Sequence, residues 1–240
     1  MRIIYLFLLI SGTTCCQSRW NKNKNPALEL RPSTKSDLIW FKPTDERRQN
    51  YKNDLNNLLK RYNTKLPNVV QCLPHQSPPP TKVCDFDIGT HMTPCVPEFG
   101  FGYDSGTPCV FLKLRNVPKW RPVLYNTTNM PSEMPIFLKE TISRLELRGM
   151  HQNIWVSCDG DNAADKENIG PLRYLPLNGF PSQYFPYNGD KGYLDPLVAL
   201  HFEQPARGVL INVECTIWAK NIPRDRENNL GHVHFSLLVD

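Results

Sequence analysis

Two histidines, His232 and His234, stand two residues apart in a stretch that alternates polar and apolar side chains. On a strand, that spacing puts both imidazoles on one face, a geometry from which a metal can be held. The face is opposite the one that carries Val233 and Phe235. The expected state is therefore two solvated histidines without a metal. A second candidate is the acidic run Cys158-Asp159-Gly160-Asp161-Asn162, followed by Asp165 and Glu167. It lacks the full EF-hand spacing, so a solvated loop is expected rather than a calcium site. Six cysteines follow the N-terminal region: Cys72, Cys84, Cys95, Cys109, Cys158 and Cys215. No two of them lie within three residues, which removes the CxxC pairs that a zinc site would want. They read as structural, because a catalytic thiol must stay free and ionisable. No GxSxG elbow, Walker loop or HExxH is present. No catalytic residue, cofactor-binding residue or metal ligand is expected.

One stretch has the makings of a recognition surface. Tyr184-Phe185-Pro186-Tyr187-Asn188-Gly189 sets aromatics beside proline and glycine, a combination that can build a rigid contact. Composition alone favours the plainer reading, that these rings fill the edge of a β-sandwich.

The charge balance of +5 comes from dispersed residues, with no lysine- or arginine-rich block. That excludes a nucleic-acid partner as the reading of the charge. With 22 prolines in 240 residues, loops should be many and long helices few. An even set of cysteines in a loop-rich chain points to disulfides and an oxidising compartment. The N-terminus agrees. Arg2 precedes an apolar run from Ile3 to Ile10, and small residues lead to Cys15 and Cys16. The run is well short of the roughly 20 apolar residues of a bilayer span. Residues 1–16 are expected to be a signal peptide or a truncated membrane anchor, 17–36 a linker, and 37–240 the folded domain. Asn126-Thr127-Thr128 is the only glycosylation sequon, consistent with exposure outside the cytosol.

The elements that would position these residues are mostly strands. Val209, Ile211, Val213, Cys215, Ile217 and Ala219 share one face of a strand over Val209–Ala219. Ile154, Val156 and Cys158 do the same over Asn153–Cys158. Both cysteines thus lie on the apolar side of their strands, and a Cys158–Cys215 bond would join two buried faces, as in an immunoglobulin-like sandwich. Val233, Phe235, Leu237 and Val239 point inward over Gly231–Asp240, and Val110–Leu114 and Pro196–Phe202 add further strands. Two helices are expected. One runs over Thr44–Tyr62, with Thr44 as its N-cap and Tyr51, Leu55, Leu58, Leu59 and Tyr62 on its apolar face. The other lies within Ser132–Leu147, on Leu138, Ile142 and Leu145. Pro78-Pro79-Pro80 should form a stiff loop tip, and Phe99–Cys109 a hairpin closed by Cys95–Cys109. The architecture is mainly β: an immunoglobulin-like antiparallel β-sandwich with one or two short helices.

Several stretches resemble one known family, the Na+/K+-ATPase beta subunits, most closely the insect nervana type. They include Leu38-Ile39-Trp40-Phe41, Cys84-Asp85-Phe86-Asp87-Ile88, Gly106-Thr107-Pro108-Cys109, Ile154-Trp155-Val156-Ser157-Cys158, Tyr184-Phe185-Pro186-Tyr187 and Asn212-Val213-Glu214-Cys215. The likeness runs from about residue 36 to the C-terminus. It implies sequential pairing, Cys72–Cys84, Cys95–Cys109 and Cys158–Cys215. It implies a disulfide-bonded glycoprotein ectodomain at the extracellular face of the plasma membrane, with Asn126 glycosylated. The implied role is a non-catalytic accessory one: helping a catalytic alpha subunit to fold, reach the plasma membrane and transport K+. Tyr184, Phe185, Pro186 and Tyr187 become the partner-contact residues, although Asn188 stands where the family often has another aromatic. The alternative is a secreted or cell-surface adhesion or junction protein of the same fold, working through homotypic contacts without the pump.

Overall fold

A computed structural model describes residues 26–32, 37–64, 66–74, 76–150, 152–226 and 230–240. The expected signal peptide or anchor over 1–16 lies outside the described residues, as do 17–25 and 33–36 of the expected linker.

Alternating apolar side chains produce two facing sheets. One holds β1 (Leu28–Arg31), β5 (Cys109–Leu114), β9 (Leu197–Phe202) and β7 (Leu172–Leu175), in the order β1-β5-β9-β7. The other holds β2 (Leu38–Phe41), β11 (His232–Val239), β10 (Leu210–Trp218), β6 (Asn153–Gly160) and β8 (Gly179–Pro181), in the order β2-β11-β10-β6-β8. Side chains of both sheets share one hydrophobic core. Phe202 of β9 meets Phe235 of β11 edge-on, with ring centroids 6.2 Å apart. Among the described strands, pairing is antiparallel except at the edge, where β2 runs parallel to β11, and in the small ladder of β3 (Val69–Val70) with β4 (Val83–Cys84). β1 falls inside the stretch read as a linker, where Leu28 is buried and β1 pairs with β5.

Among the described residues, three disulfides join Cys72 to Cys84, Cys95 to Cys109 and Cys158 to Cys215. The third differs in kind from the inter-sheet bridge that strand parity pointed to. Cys158 and Cys215 sit directly opposite each other on neighbouring strands of one sheet, with Cα atoms 4.0 Å apart. Parity located the inward face correctly; it could not say whether two inward residues belong to facing sheets or to adjacent strands.

β6 is buried on both faces. Ile154, Val156 and Cys158 enter the main core. Trp155 points the other way, into a second cluster with Trp218, Met134 and the apolar face of α2 (Ile136–Glu146), formed by Leu138, Ile142 and Leu145. The helix thus lies on the outer face of the five-stranded sheet. The indole N–H of Trp218 is satisfied there, donating to the Ser157 hydroxyl at 2.8 Å.

α1 (Arg47–Leu59) continues as a 3-10 turn to Tyr62 and buries Leu55, Leu59 and Tyr62. It starts later than expected: Glu46 is the N-cap and makes no side-chain cap, while the Asp45 carboxylate accepts from the Arg47 N–H. Phe99–Cys109 is not a hairpin. Pro97–Gly102 forms 3-10 turns in which Gly100, Phe101 and Gly102 have φ of 57°, 54° and 74°. A strand cannot continue through left-handed backbone. At Gly102 a Cβ would fall 1.9 Å from the Thr107 carbonyl oxygen, so only glycine fits. The acidic stretch is solvent-exposed at Asp159, Asp161 and Glu167, as expected, but it is not a loop: it runs from the end of β6 into a short helix. Asn162 caps α3 (Ala163–Asn168), accepting from the Asp165 N–H at 3.0 Å. The buried Asp165 carboxylate accepts from the Asn212 N–H of β10 at 2.9 Å.

Among the described residues, no helix is long and apolar enough to cross a membrane.

The Cys158–Cys215 bond closes a 57-residue separation between two central strands. Cys158→Ser or Cys215→Ser should each cost about 2–5 kcal/mol. The double variant should lose about as much as either single one. Urea unfolding monitored by tryptophan fluorescence checks this, and an unchanged midpoint would contradict it.

Candidate partner surface

Tyr184 to Tyr187 follow β8 directly, through a 3-10 turn over Ser182–Tyr184. The two leading rings point inward. Tyr184 and Phe185 are buried at 8% and 7% exposure, whereas Pro186 and Tyr187 are half-buried and Asn188 to Asp190 are exposed. The four residues therefore divide into two anchors and two presented side chains.

The anchors are held by an aromatic relay. Tyr62 meets Phe86 edge-on at 5.9 Å, and Phe86 meets Tyr184 at 5.6 Å. The Tyr184 hydroxyl donates to the Asp85 carbonyl at 2.6 Å. Asp85 follows Cys84, so the first disulfide loop holds this end of the segment. Phe185 packs edge-on against Trp120 at 5.8 Å. The Phe185–Pro186 peptide bond is cis. Tyr187 then stacks obliquely on Tyr193 at 4.9 Å, and its carbonyl accepts from the Lys119 N–H at 2.9 Å. Tyr193 closes the ring of contacts by donating its hydroxyl to the Tyr184 carbonyl at 2.9 Å. The Pro78–Pro80 tip and this segment border a cleft of about 200 Å³.

Beneath the segment lies Asp195, with no exposure to water. Its carboxylate pairs with Arg61 at 3.0 Å and Lys113 at 3.2 Å, and accepts from the Asn116 amide. Its backbone carbonyl accepts from the Tyr62 hydroxyl at 2.8 Å. Arg61 also donates to the Tyr193 carbonyl at 2.8 Å. One buried acid thus links the end of α1, strand β5 and the aromatic segment. Sequence patterning gave no sign of this link, since its members are 134 residues apart in the chain. Burial raises the hydroxyl pKa of Tyr62, Tyr184 and Tyr193 well above the usual tyrosine value, and nearby Asp195 adds to this for Tyr62 and Tyr193.

The sequon sits elsewhere, in a turn before α2. Thr127 and Thr128 are exposed there, and the Thr128 hydroxyl donates to the Asn126 side-chain oxygen at 2.8 Å. The expectation of two solvated histidines fails at His232, whereas the His234 side chain keeps 34% exposure. His232 is only 12% exposed, with Nδ1 2.6 Å from the Glu214 carboxylate on the adjacent strand. Glu214 was missed by sequence reasoning because nothing local to it marks its cross-strand neighbour.

The family model of the sodium/potassium ATPase beta chain matches residues 2–235. The chain is 43% identical over 235 residues to the sodium/potassium-transporting ATPase subunit beta-2 of Drosophila melanogaster, covering 90% of this chain and 71% of that protein. It is 36% identical over 227 residues to subunit beta-1 of the same organism, with the same coverage. It is 30% identical over 237 residues to human subunit beta-2, covering 90% of this chain and 72% of that one.

Two predictions test the scaffold. Asp195→Ala leaves two cations and an amide facing a void. It should destabilise the fold by about 3 kcal/mol, at the low end for a broken buried pair because Arg61 is 45% exposed. Urea unfolding of the variant at neutral pH measures this. The tyrosines set the alkaline behaviour. Above pH ~10 the unfolded chain releases phenolic protons that the folded chain retains. Stability should be constant with respect to these groups below that pH and fall above it. Tyr193→Phe should flatten the fall in a urea series from pH 8 to 11.5, and an unchanged slope would contradict the assignment.

Proposed function

The chain belongs to the sodium/potassium ATPase beta chain family, and on that premise we propose that it binds the catalytic alpha subunit of a P-type cation pump through the surface around Pro186 and Tyr187. It is an accessory subunit by family. Its contribution in this reading is to assist alpha-subunit folding, delivery to the plasma membrane and K+ transport, from the extracellular face.

The observation that carries the reading is the division of the aromatic segment. Tyr184 and Phe185 are consumed in the interior, so they serve as positioning residues. Pro186 and Tyr187 are presented beside the exposed turn at Asn188–Asp190. Two edge-on ring contacts, the Tyr193 hydroxyl and the Asp195 hub fix their backbone before any partner arrives. A pre-formed aromatic surface loses little conformational freedom on binding, and tyrosine is enriched among residues that dominate interface energies. Three disulfides suit an oxidising, extracellular setting. The exposed turn at Thr127 and Thr128 supports glycan attachment at Asn126.

Co-expression with an alpha subunit, followed by detergent extraction and co-precipitation, tests the proposal. The chain should be recovered with alpha. Tyr187→Ala should lower recovery about tenfold, with a melting temperature within a few degrees of the parent. Recovery with itself but not with alpha would replace this reading with homotypic adhesion.

A further inference from the structure

The outer face of the five-stranded sheet carries a polar cluster on which the proposed function does not draw. We propose that Asp161, Glu214 and His234 form a binding site for a borderline transition-metal dication, zinc being the probe, with Arg226 as the internal cation that such an ion displaces.

The backbone ladder brings the three together. Glu214 on β10 is directly opposite His234 on β11. Asp161 follows the end of β6, and its N–H donates to the Asn212 carbonyl of β10 at 2.9 Å. The three side chains therefore rise from three neighbouring backbones of a continuous sheet, a rigid base for a site. Their ligand atoms all lie within 4.8 Å of one another. The Glu214 carboxylate is 3.9 Å from His234 Nε2. Zinc bonds of 2.0–2.2 Å space tetrahedral ligands about 3.4 Å apart, so closure needs side-chain movement of about 1 Å. His232 supplies the outer partner, with Nδ1 2.6 Å from the same Glu214 oxygen and 3.1 Å from the Thr216 hydroxyl. Such partners orient a ligating carboxylate. An imidazole with two carboxylates favours zinc-like ions over calcium, which takes six to eight oxygens.

Arg226 shows that this position attracts positive charge. Its guanidinium pairs with Asp161 and, at 3.1 Å, with Glu214. Its side chain is 54% exposed, against 18% for Glu214. It can swing into water while the ligands keep their places. A dication at the same point would bind both carboxylates and take the Nε2 lone pair of His234 as a third ligand, whereas the guanidinium pairs with the two carboxylates.

The test is zinc chloride titrated calorimetrically into the untagged chain at pH 7.5, with near-ultraviolet circular dichroism as the fold control. One zinc per chain is expected. His234→Ala should weaken binding at least tenfold, and Arg226→Ala should strengthen it by a similar factor. Zinc should raise the melting temperature of the parent and of Arg226→Ala, and should leave His234→Ala unmoved. Three results would each overturn the proposal: no zinc binding by the parent, binding that His234→Ala leaves intact, or calcium binding in preference to zinc.

Discussion

The pairing of β6 with β10 is the interaction on which the rest of the molecule depends. Cys158 faces Cys215 across that ladder, and a covalent bond there forbids a slip of even one residue. A slip would turn every side chain of both strands to the opposite face. With the register held, Ile154, Val156, Val213 and Ile217 are committed to the main core. Trp155 and Trp218 are committed to the outer face, where they require a cover. α2 is that cover. The same register puts Glu214 beside Asp159 on one side and His234 on the other, which assembles the outer polar cluster.

The placing of the aromatic segment against the four-stranded sheet follows from a different constraint, the cost of burying charge. Asp195 has no access to water, and a lone carboxylate there would be strongly disfavoured. Arg61 converges on it from the end of α1, and Lys113 and Asn116 from β5 and the residues just after it. Arg61 is tied to the aromatic segment through the Tyr193 carbonyl, and the Asp195 carbonyl itself accepts from the Tyr62 hydroxyl. Such a hub does less for net stability than for uniqueness of position. Apolar residues could fill the space equally well, but they would not dictate where the chain after Phe185 must run.

Much of this was legible in the chain as written. Period-two alternation located β10, β11 and the inward face of β6, because a strand packed between water and a core must alternate. Helical spacing at Leu55, Leu59 and Tyr62, and at Leu138, Ile142 and Leu145, located both longer helices for the corresponding reason. The failures have physical causes as well. β1 was hidden in a polar, proline-broken stretch because an edge strand needs only one partner and one buried side chain, Leu28. The turn from Phe99 to Cys109 was misread as a hairpin because left-handed backbone at Phe101 leaves no mark in residue type. Thr44 looked like a helix cap, but the side-chain oxygen that meets the first turn is that of Asp45.

By itself, the sequence determined the class of the fold, the structural role of six cysteines and the absence of any recognised catalytic motif. Those follow from composition, local periodicity and cysteine spacing, all of which are written along one strand of chain at a time. The tertiary structure alone decided that the Cys158–Cys215 bond lies within a sheet rather than between sheets. It decided that Tyr184 and Phe185 face inward while Pro186 and Tyr187 are presented, and that Glu214 meets His232 and His234. Each of these is a relation between residues distant in the chain, set by which strands become neighbours, and adjacency of strands is chosen by the packing of the whole core.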